Sequence, residues 1–148
     1  MADDSLEIRR TIAAPAQRVF TAWTDAGWLA RWMSPVGHAR VEADARVGGR
    51  LRVVMVGEGR EIEHVGEYLE VAPPHRLSFT WSSPYTGGRP SRVTVELEER
   101  DGMTELILRH ELLPRDAAAS HAGGWSSMLD RLVSRVEGWH DEENLDGA

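Results

Sequence analysis

Apolar residues recur along this chain at two different spacings, and the switch between them marks out the elements. Between residues 116 and 139, Trp125, Met128, Leu129, Leu132, Val133 and Val136 fall three and four apart, which places them on one face of a helix. Arg131, Ser134, Arg135 and Glu137 fall on the other side. Pro114 marks a break before this stretch, and Asp116 stands where an N-cap would. Each buried Leu, Met or Val on such a stripe stabilises by roughly 1.5–3 kcal/mol. The helix must therefore lie on another element, and the rest of the chain offers only a β-sheet.

At the other end, Leu6, Ile8, Arg10 and Ile12 alternate with Glu7, Arg9 and Thr11, which predicts a strand over 5–12. Ala14-Pro15 opens a short helix with Ala16, Val19, Phe20 and Trp23 on its inner face. Asp25 caps a second, carrying Trp28, Leu29 and Trp32. From His38 the period becomes two, predicting strands over 38–44, 50–56, 61–71, 75–82, 92–100 and 104–112. Val47-Gly48-Gly49, residues 57–60 and Asp101-Gly102 are the turns between them, and 83–91 is a loop. In the third of these strands Ile62, His64 and Tyr68 point inward, while Leu69 and Val71 are apolar but out of phase, so a bulge is expected near Tyr68. The sum is one α+β domain. It holds a curved antiparallel sheet of about seven strands, two short helices and a long C-terminal helix, with its core in 5–139 and an acidic tail at 140–148.

Composition narrows the function classes. The net charge is -7 with no basic patch, which argues against nucleic acid as a partner. No apolar run reaches the ~18 residues of a membrane span, and the N-terminus lacks a signal-peptide pattern, so a soluble, cytoplasmic protein is expected. With no cysteine there is no disulfide or thiol chemistry, and because all 17 basic residues are Arg there is no lysine for Schiff-base catalysis. Six tryptophans stand beside two Phe and two Tyr, an excess that suits either a pocket or a core.

Gly123 and Gly124 interrupt the long helix just before Trp125, each at a cost of about 1 kcal/mol against Ala. Helical glycines most often mark a kink or the close approach of a strand. They can also leave room for a ligand under the helix.

Several segments together resemble a known family. Ala14-Pro15, Val19-Phe20 and Trp32-Met33-Ser34-Pro35 are similar to the opening of the SRPBCC (START-like, helix-grip) superfamily. Within it they resemble the homologues of the heat-shock-protein-90 ATPase activator. Asp44-Ala45-Arg46-Val47-Gly48-Gly49 matches that family's turn; the strands from Gly66 to Val71 and from Pro74 to Trp81, the stretch Thr104 to Leu108, and Gly124-Trp125 with Leu129-Asp130-Arg131-Leu132 complete the likeness. Met33 stands where a second Trp is common, a change expected to widen or soften a pocket mouth. The resemblance implies a helix-grip fold enclosing a cavity between sheet and C-terminal helix. Superfamily members bind lipids, sterols, polyketides or plant hormones, some cyclise polyketides, and the eukaryotic activator is a co-chaperone. Carrying any of these functions over is analogy.

The leading expectation is a non-enzymatic binder of a hydrophobic or aromatic molecule. Trp32, Trp81 and Trp125 come from elements that meet in such a fold, and with Met55, Tyr68, Phe79, Met128, Leu129 and the inward histidines His64 and His110 they either line a pocket or fill the space. An alternative is a cyclase-like or hydrolase-like enzyme using His64 or His110 with Tyr68; the competing reading is two histidines hydrogen-bonded inside a partly polar interior. A third is a protein-interaction module, a chaperone partner included, whose exposed apolar patch could instead pair two copies of the chain. His38, His75, His121 and His140 sit near element ends and are expected to be exposed, and no spacing suggests a metal or other cofactor.

Overall fold

The computed structural model describes residues 4–34, 38–57, 59–115 and 117–139. The chain runs β1 (Asp4–Ile12), α1 (Ala16–Thr24), α2 (Ala26–Trp32), β2 (His38–Ala43), β3 (Arg50–Gly57), β4 (Arg60–Ala72), β5 (Arg76–Trp81), a 3-10 turn at Pro84–Thr86, β6 (Ser91–Arg100), β7 (Met103–Leu113) and α3 (Ala118–Glu137). The strands form one antiparallel sheet in the order β1-β7-β6-β5-β4-β3-β2. Six consecutive strands therefore make a meander, and β1 closes onto its far edge beside β7. The bulge falls as the phase break predicts. The β4–β5 register shifts between Tyr68 and Glu70, and Leu69 is left exposed. The expected tail at 140–148 lies outside the described residues, and among the described residues no helix is long and apolar enough to cross a membrane.

Helix α3 packs on β1, α1 and α2, with Trp125, Met128, Leu129, Leu132 and Val136 buried. Its start differs from the expected one. The N-cap position is Ala117, with no side-chain cap of its own, and Asp116 lies outside the described residues. The capping carboxylate comes from β1 instead, where Asp4 Oδ2 accepts from the Ala118 N–H at 3.2 Å. α1 is served the same way, since Glu99 of β6 accepts from the Ala16 N–H at 2.8 Å. Only α2 is capped locally, by Asp25 accepting from Trp28 N–H at 3.0 Å, as its sequence predicts.

Aromatic rings join the helices to the sheet. Trp23 sits edge-on to Trp32 at 4.6 Å, and lies 6.1 Å from Trp125 and 6.3 Å from Phe79. The far end of α3 is held by Trp139, stacked on Trp28 at 4.3 Å, with the Arg18 guanidinium 5.7 Å from its ring and donating to its carbonyl at 3.0 Å. On the outer face, Arg and Glu alternate across strands: Glu7 with Arg109, Arg109 with Glu96, Glu96 with Arg76 and Arg76 with Glu70. Each such exposed pair is worth about 0–1 kcal/mol, so the ladder serves mainly to keep that face wet. One turn behind the sheet is fixed sterically. A Cβ on Gly49 would lie 1.8 Å from the Asp44 carbonyl oxygen, and the neighbouring Arg46–Asp44 ion pair (2.8 Å) is exposed and structural.

Candidate functional site

A cavity of about 400 Å³ lies between the N-terminal half of α3 and one end of the sheet. That volume is within the usual range for small-molecule sites, ~300–1,000 Å³. Its apolar walls are Met55 of β3, Ile62 of β4, Trp81 of β5, and Trp125 and Met128 of α3. The two indoles are 5.9 Å apart and tilted by 42°. Gly124 completes the helical wall. A Cβ on either Gly123 or Gly124 would meet nothing within 4 Å, so the close approach of a strand is not the reason for these glycines. At Gly124 the missing side chain leaves open volume.

Polar groups occur at two depths. His64 is buried and stacked on Trp81 at 4.7 Å, and its Nδ1 has no hydrogen-bond partner. Burial pushes its pKa from 6.5 down to about 4; the backbone of Ile62 and of Val53 opposes the shift, and His121 adds to it. Nearer solvent lie Arg60, Tyr85, Ser120 and His121, with Tyr85 51% exposed, so this side is the mouth. Arg60 Nη2 donates to the Tyr85 hydroxyl at 3.1 Å. Ser34 also lines the space, and its carbonyl accepts from Arg131 of α3 at 2.6 Å, tying the chain after α2 to the helix.

The expected site residues divide into two groups. Met55, His64, Trp81, Trp125 and Met128 line the cavity, whereas Trp32, Tyr68, Phe79, Leu129 and His110 stand behind its wall. The space under the helix is therefore open at one end and filled at the other. Tyr68 is four residues along β4 from His64, or ~13 Å at the usual rise, and it packs on Phe79 at 6.0 Å. Its hydroxyl is buried without a partner, and burial, with the Asp44 carboxylate adding, pushes its pKa up. Trp32 donates its indole N–H to the Ala22 carbonyl at 2.9 Å and serves as core. Met33 is fully buried beside it and does not shape a mouth; the next residue, Ser34, reaches the cavity.

His110 is fully buried and bonded on both ring nitrogens. Trp125 Nε1 donates to Nδ1 at 2.9 Å, and Nε2 lies 2.6 Å from Ser91 Oγ, which donates in turn to the Trp81 carbonyl at 2.5 Å. Because an indole can only donate, Nδ1 must be the acceptor and Nε2 must carry the proton. Burial, reinforced by His121 and then His64, pushes its pKa down to about 3. This imidazole is a neutral strut between the Trp125 indole and, through Ser91, the main chain of Trp81. His64, His110 and Tyr68 do not meet at one reacting point; the imidazoles on the cavity are His64 and His121.

His121 corrects the expectation that it is exposed. It is half-buried on the cavity, with Nδ1 2.9 Å from the Ala117 carbonyl and its ring 5.2 Å from His110. The signal was present in the sequence, since residues 121, 125 and 128 share one helical face. Arg60 and Tyr85 had no such signal, because turns carry no periodicity to aim a side chain. His38 and His75 are exposed as expected, and His140 lies outside the described residues. Among the described residues no group of three His, Asp or Glu side chains could hold a metal ion.

An antiparallel sheet gripping a C-terminal helix over an internal cavity defines the helix-grip class. Within that class, residues 13–137 match the family described as Activator of Hsp90 ATPase homolog 1-like protein, and the chain belongs to it. Solved structures agree. Protein CV1439 from Chromobacterium violaceum is 30% identical with a TM-score of 0.83, over 91% of this chain and 98% of that one. A Rhodobacter sphaeroides protein is 26% identical with a TM-score of 0.79, over 92% and 94%. An HSP90 activator from Plasmodium falciparum is 26% identical with a TM-score of 0.73, over 86% and 92%. A comparison with curated proteins found no match.

Proposed function

We propose that this protein binds a hydrophobic or aromatic small molecule in the cavity beneath α3, without catalysis. The observation that carries this reading is the cavity itself, about 400 Å³ and walled by two indoles, two methionines and Ile62, at a place where α3 sets Gly124 into the wall. A wall meant only to pack would gain from alanine there, by about 1 kcal/mol per residue. The test is a panel of neutral aromatic compounds added to the purified protein, followed by tryptophan fluorescence and thermal melting. A ligand present at a hundred times its Kd stabilises the fold by about 2.7 kcal/mol, which a melting curve resolves. Unchanged emission and unchanged melting across the panel would end the proposal.

Family membership supports a second reading, regulation of a chaperone ATPase, through the likeness to the Plasmodium activator. The surface favours it less. Among the described residues the exposed large apolar ones are Val47 in the β2–β3 turn, Leu69 on β4, Tyr85 at the cavity mouth, and Met103 and Leu112 at opposite ends of β7. Val47 and Leu69 are neighbours across the Gly48–Tyr68 hydrogen bond, but Tyr85, Met103 and Leu112 lie on other elements, and one such pair is smaller than the patch of several hundred Å² that marks a partner site. Pull-down of the host Hsp90-type chaperone by the tagged protein separates the two readings. Capture that survives filling of the cavity would favour the chaperone role.

A further inference from the structure

The polar groups around the cavity are unevenly matched, and the mismatch describes a guest. This argument rests on the reading that the cavity is a binding site. At the mouth Arg60 and Tyr85 offer donors, while Ser120 and His121 turn theirs to the Ala117 carbonyl. Arg60 has five N–H donors and a permanent charge, of which one donor is engaged by Tyr85. Since the Tyr85 oxygen accepts there, its own O–H remains free to donate outward. Elsewhere arginines of this acidic chain find carboxylates, as Arg9, Arg40, Arg52, Arg76 and Arg109 do. No carboxylate among the described residues lies within ion-pair distance of Arg60, although it borders the cavity.

Deeper in, nothing can hold a charge. The walls are apolar, and the one titratable group there, His64, is buried with an unpartnered ring nitrogen. A charged group pushed to that depth would lose its hydration without replacement, so a guest's charge must stay at the mouth. The flat surfaces are the indoles of Trp81 and Trp125. At about 400 Å³ the cavity stands at the small end of the range for small-molecule sites, ~300–1,000 Å³, which suits a compact two-ring molecule. One guanidinium and one hydroxyl match the two oxygens of a single carboxylate, and among the described residues Arg60 is the one permanent cation lining the cavity.

We propose that the guest is a ring-bearing monocarboxylic acid, its rings against Trp81 and Trp125 and its carboxylate held at the mouth by Arg60 and Tyr85. The probes are naphthoic acid, naphthylacetic acid and their methyl esters, titrated calorimetrically against the wild-type protein and Arg60→Gln. Glutamine keeps a shorter polar side chain and removes the charge together with the guanidinium fork. The expected result is that an acid binds about tenfold or more tighter than its ester, as a charge-assisted pair requires. In Arg60→Gln the two should bind alike, with the ester unchanged from wild type. An ester that binds wild type as well as its acid overturns the acid assignment and leaves the apolar cavity reading intact. A preference for acid that survives Arg60→Gln overturns the role of Arg60. Failure of every acid and ester to bind the folded wild-type protein removes the cavity reading and this one with it. Thermal melting of Arg60→Gln confirms that the exposed substitution leaves the fold in place.

Discussion

The indole N–H of Trp125 donates to Nδ1 of His110 at 2.9 Å, and this one bond ties the cavity wall to the sheet. It fixes the tautomer of the imidazole, which passes the constraint through Ser91 to the backbone of Trp81. One buried chain of hydrogen bonds thereby joins the Trp125 indole to the main chain of Trp81. A wall held this firmly keeps its shape when empty, which lowers the ordering cost of taking in a guest.

Replacing His110 with Phe should therefore strand the Trp125 donor in an apolar surrounding. The expected loss is about 1–3 kcal/mol in urea unfolding, with a change in tryptophan emission. Adding Trp125→Phe to that variant should cost less than the two single losses together, because the second substitution removes the orphaned group. Strict additivity would show that the bond is not formed.

Stability should fall on the acid side. His64 and His110 are held down at about 4 and about 3, against 6.5 for an ordinary imidazole. The unfolded chain therefore binds protons between pH 6.5 and these values that the folded chain refuses. Their contribution is complete above about pH 6.5, shrinks as pH drops through that window and levels off below the folded values. His64→Phe keeps a ring on Trp81 and removes one titrating group. Urea unfolding of this variant should depend less steeply on pH between 6.5 and 4 than wild type, and equal slopes would refute the assignment.

Gly124→Ala should separate stability from binding. The new methyl meets no atom within 4 Å, so the helix gains about 1 kcal/mol and the melting temperature rises. The same methyl enters the cavity, so affinity for an apolar guest should drop. Gly123→Ala, exposed and outside the lining, should stabilise alike and leave affinity unchanged. If both variants bind like wild type, Gly124 does not face the guest.

Asp4→Ala and Glu99→Ala should each destabilise by about 0.5–2 kcal/mol, the usual worth of a capping carboxylate. The two residues sit on β1 and β6, yet the loss should appear as fraying of α3 and α1 respectively. Hydrogen exchange at Ala118 and Ala16 reads it directly, and unchanged protection there would remove the caps.

How much of this was legible in the sequence follows from how far each interaction reaches along the chain. The strands, the bulge at Leu69, the Asp25 cap and the inward face of α3 depend on neighbours within a few residues, and periodicity reports them. The candidate site was only half legible. Alternation says that His64 and Tyr68 share a face of β4; it does not say that one borders open space and the other lies in a filled core. That difference arises because the rings of Trp23, Trp32 and Phe79 pack together into the interior at one end, whereas Trp81 and Trp125 at the other stand along the wall of a space they do not fill.

By itself the sequence determined the kind of fold, the face each strand and helix buries, and a chain suited to a helix over an antiparallel sheet. Tertiary structure alone decided what those faces meet. It took the caps of α1 and α3 from residues 83 and 114 positions away, sealed His110 between Trp125 and Ser91, and brought Arg60 at the start of β4 and Tyr85 of the 3-10 turn to one opening. The physical reason is that backbone periodicity is a local property, fixed by the dihedral angles of adjacent residues, whereas a cavity is what the side chains of distant elements fail to fill once packed.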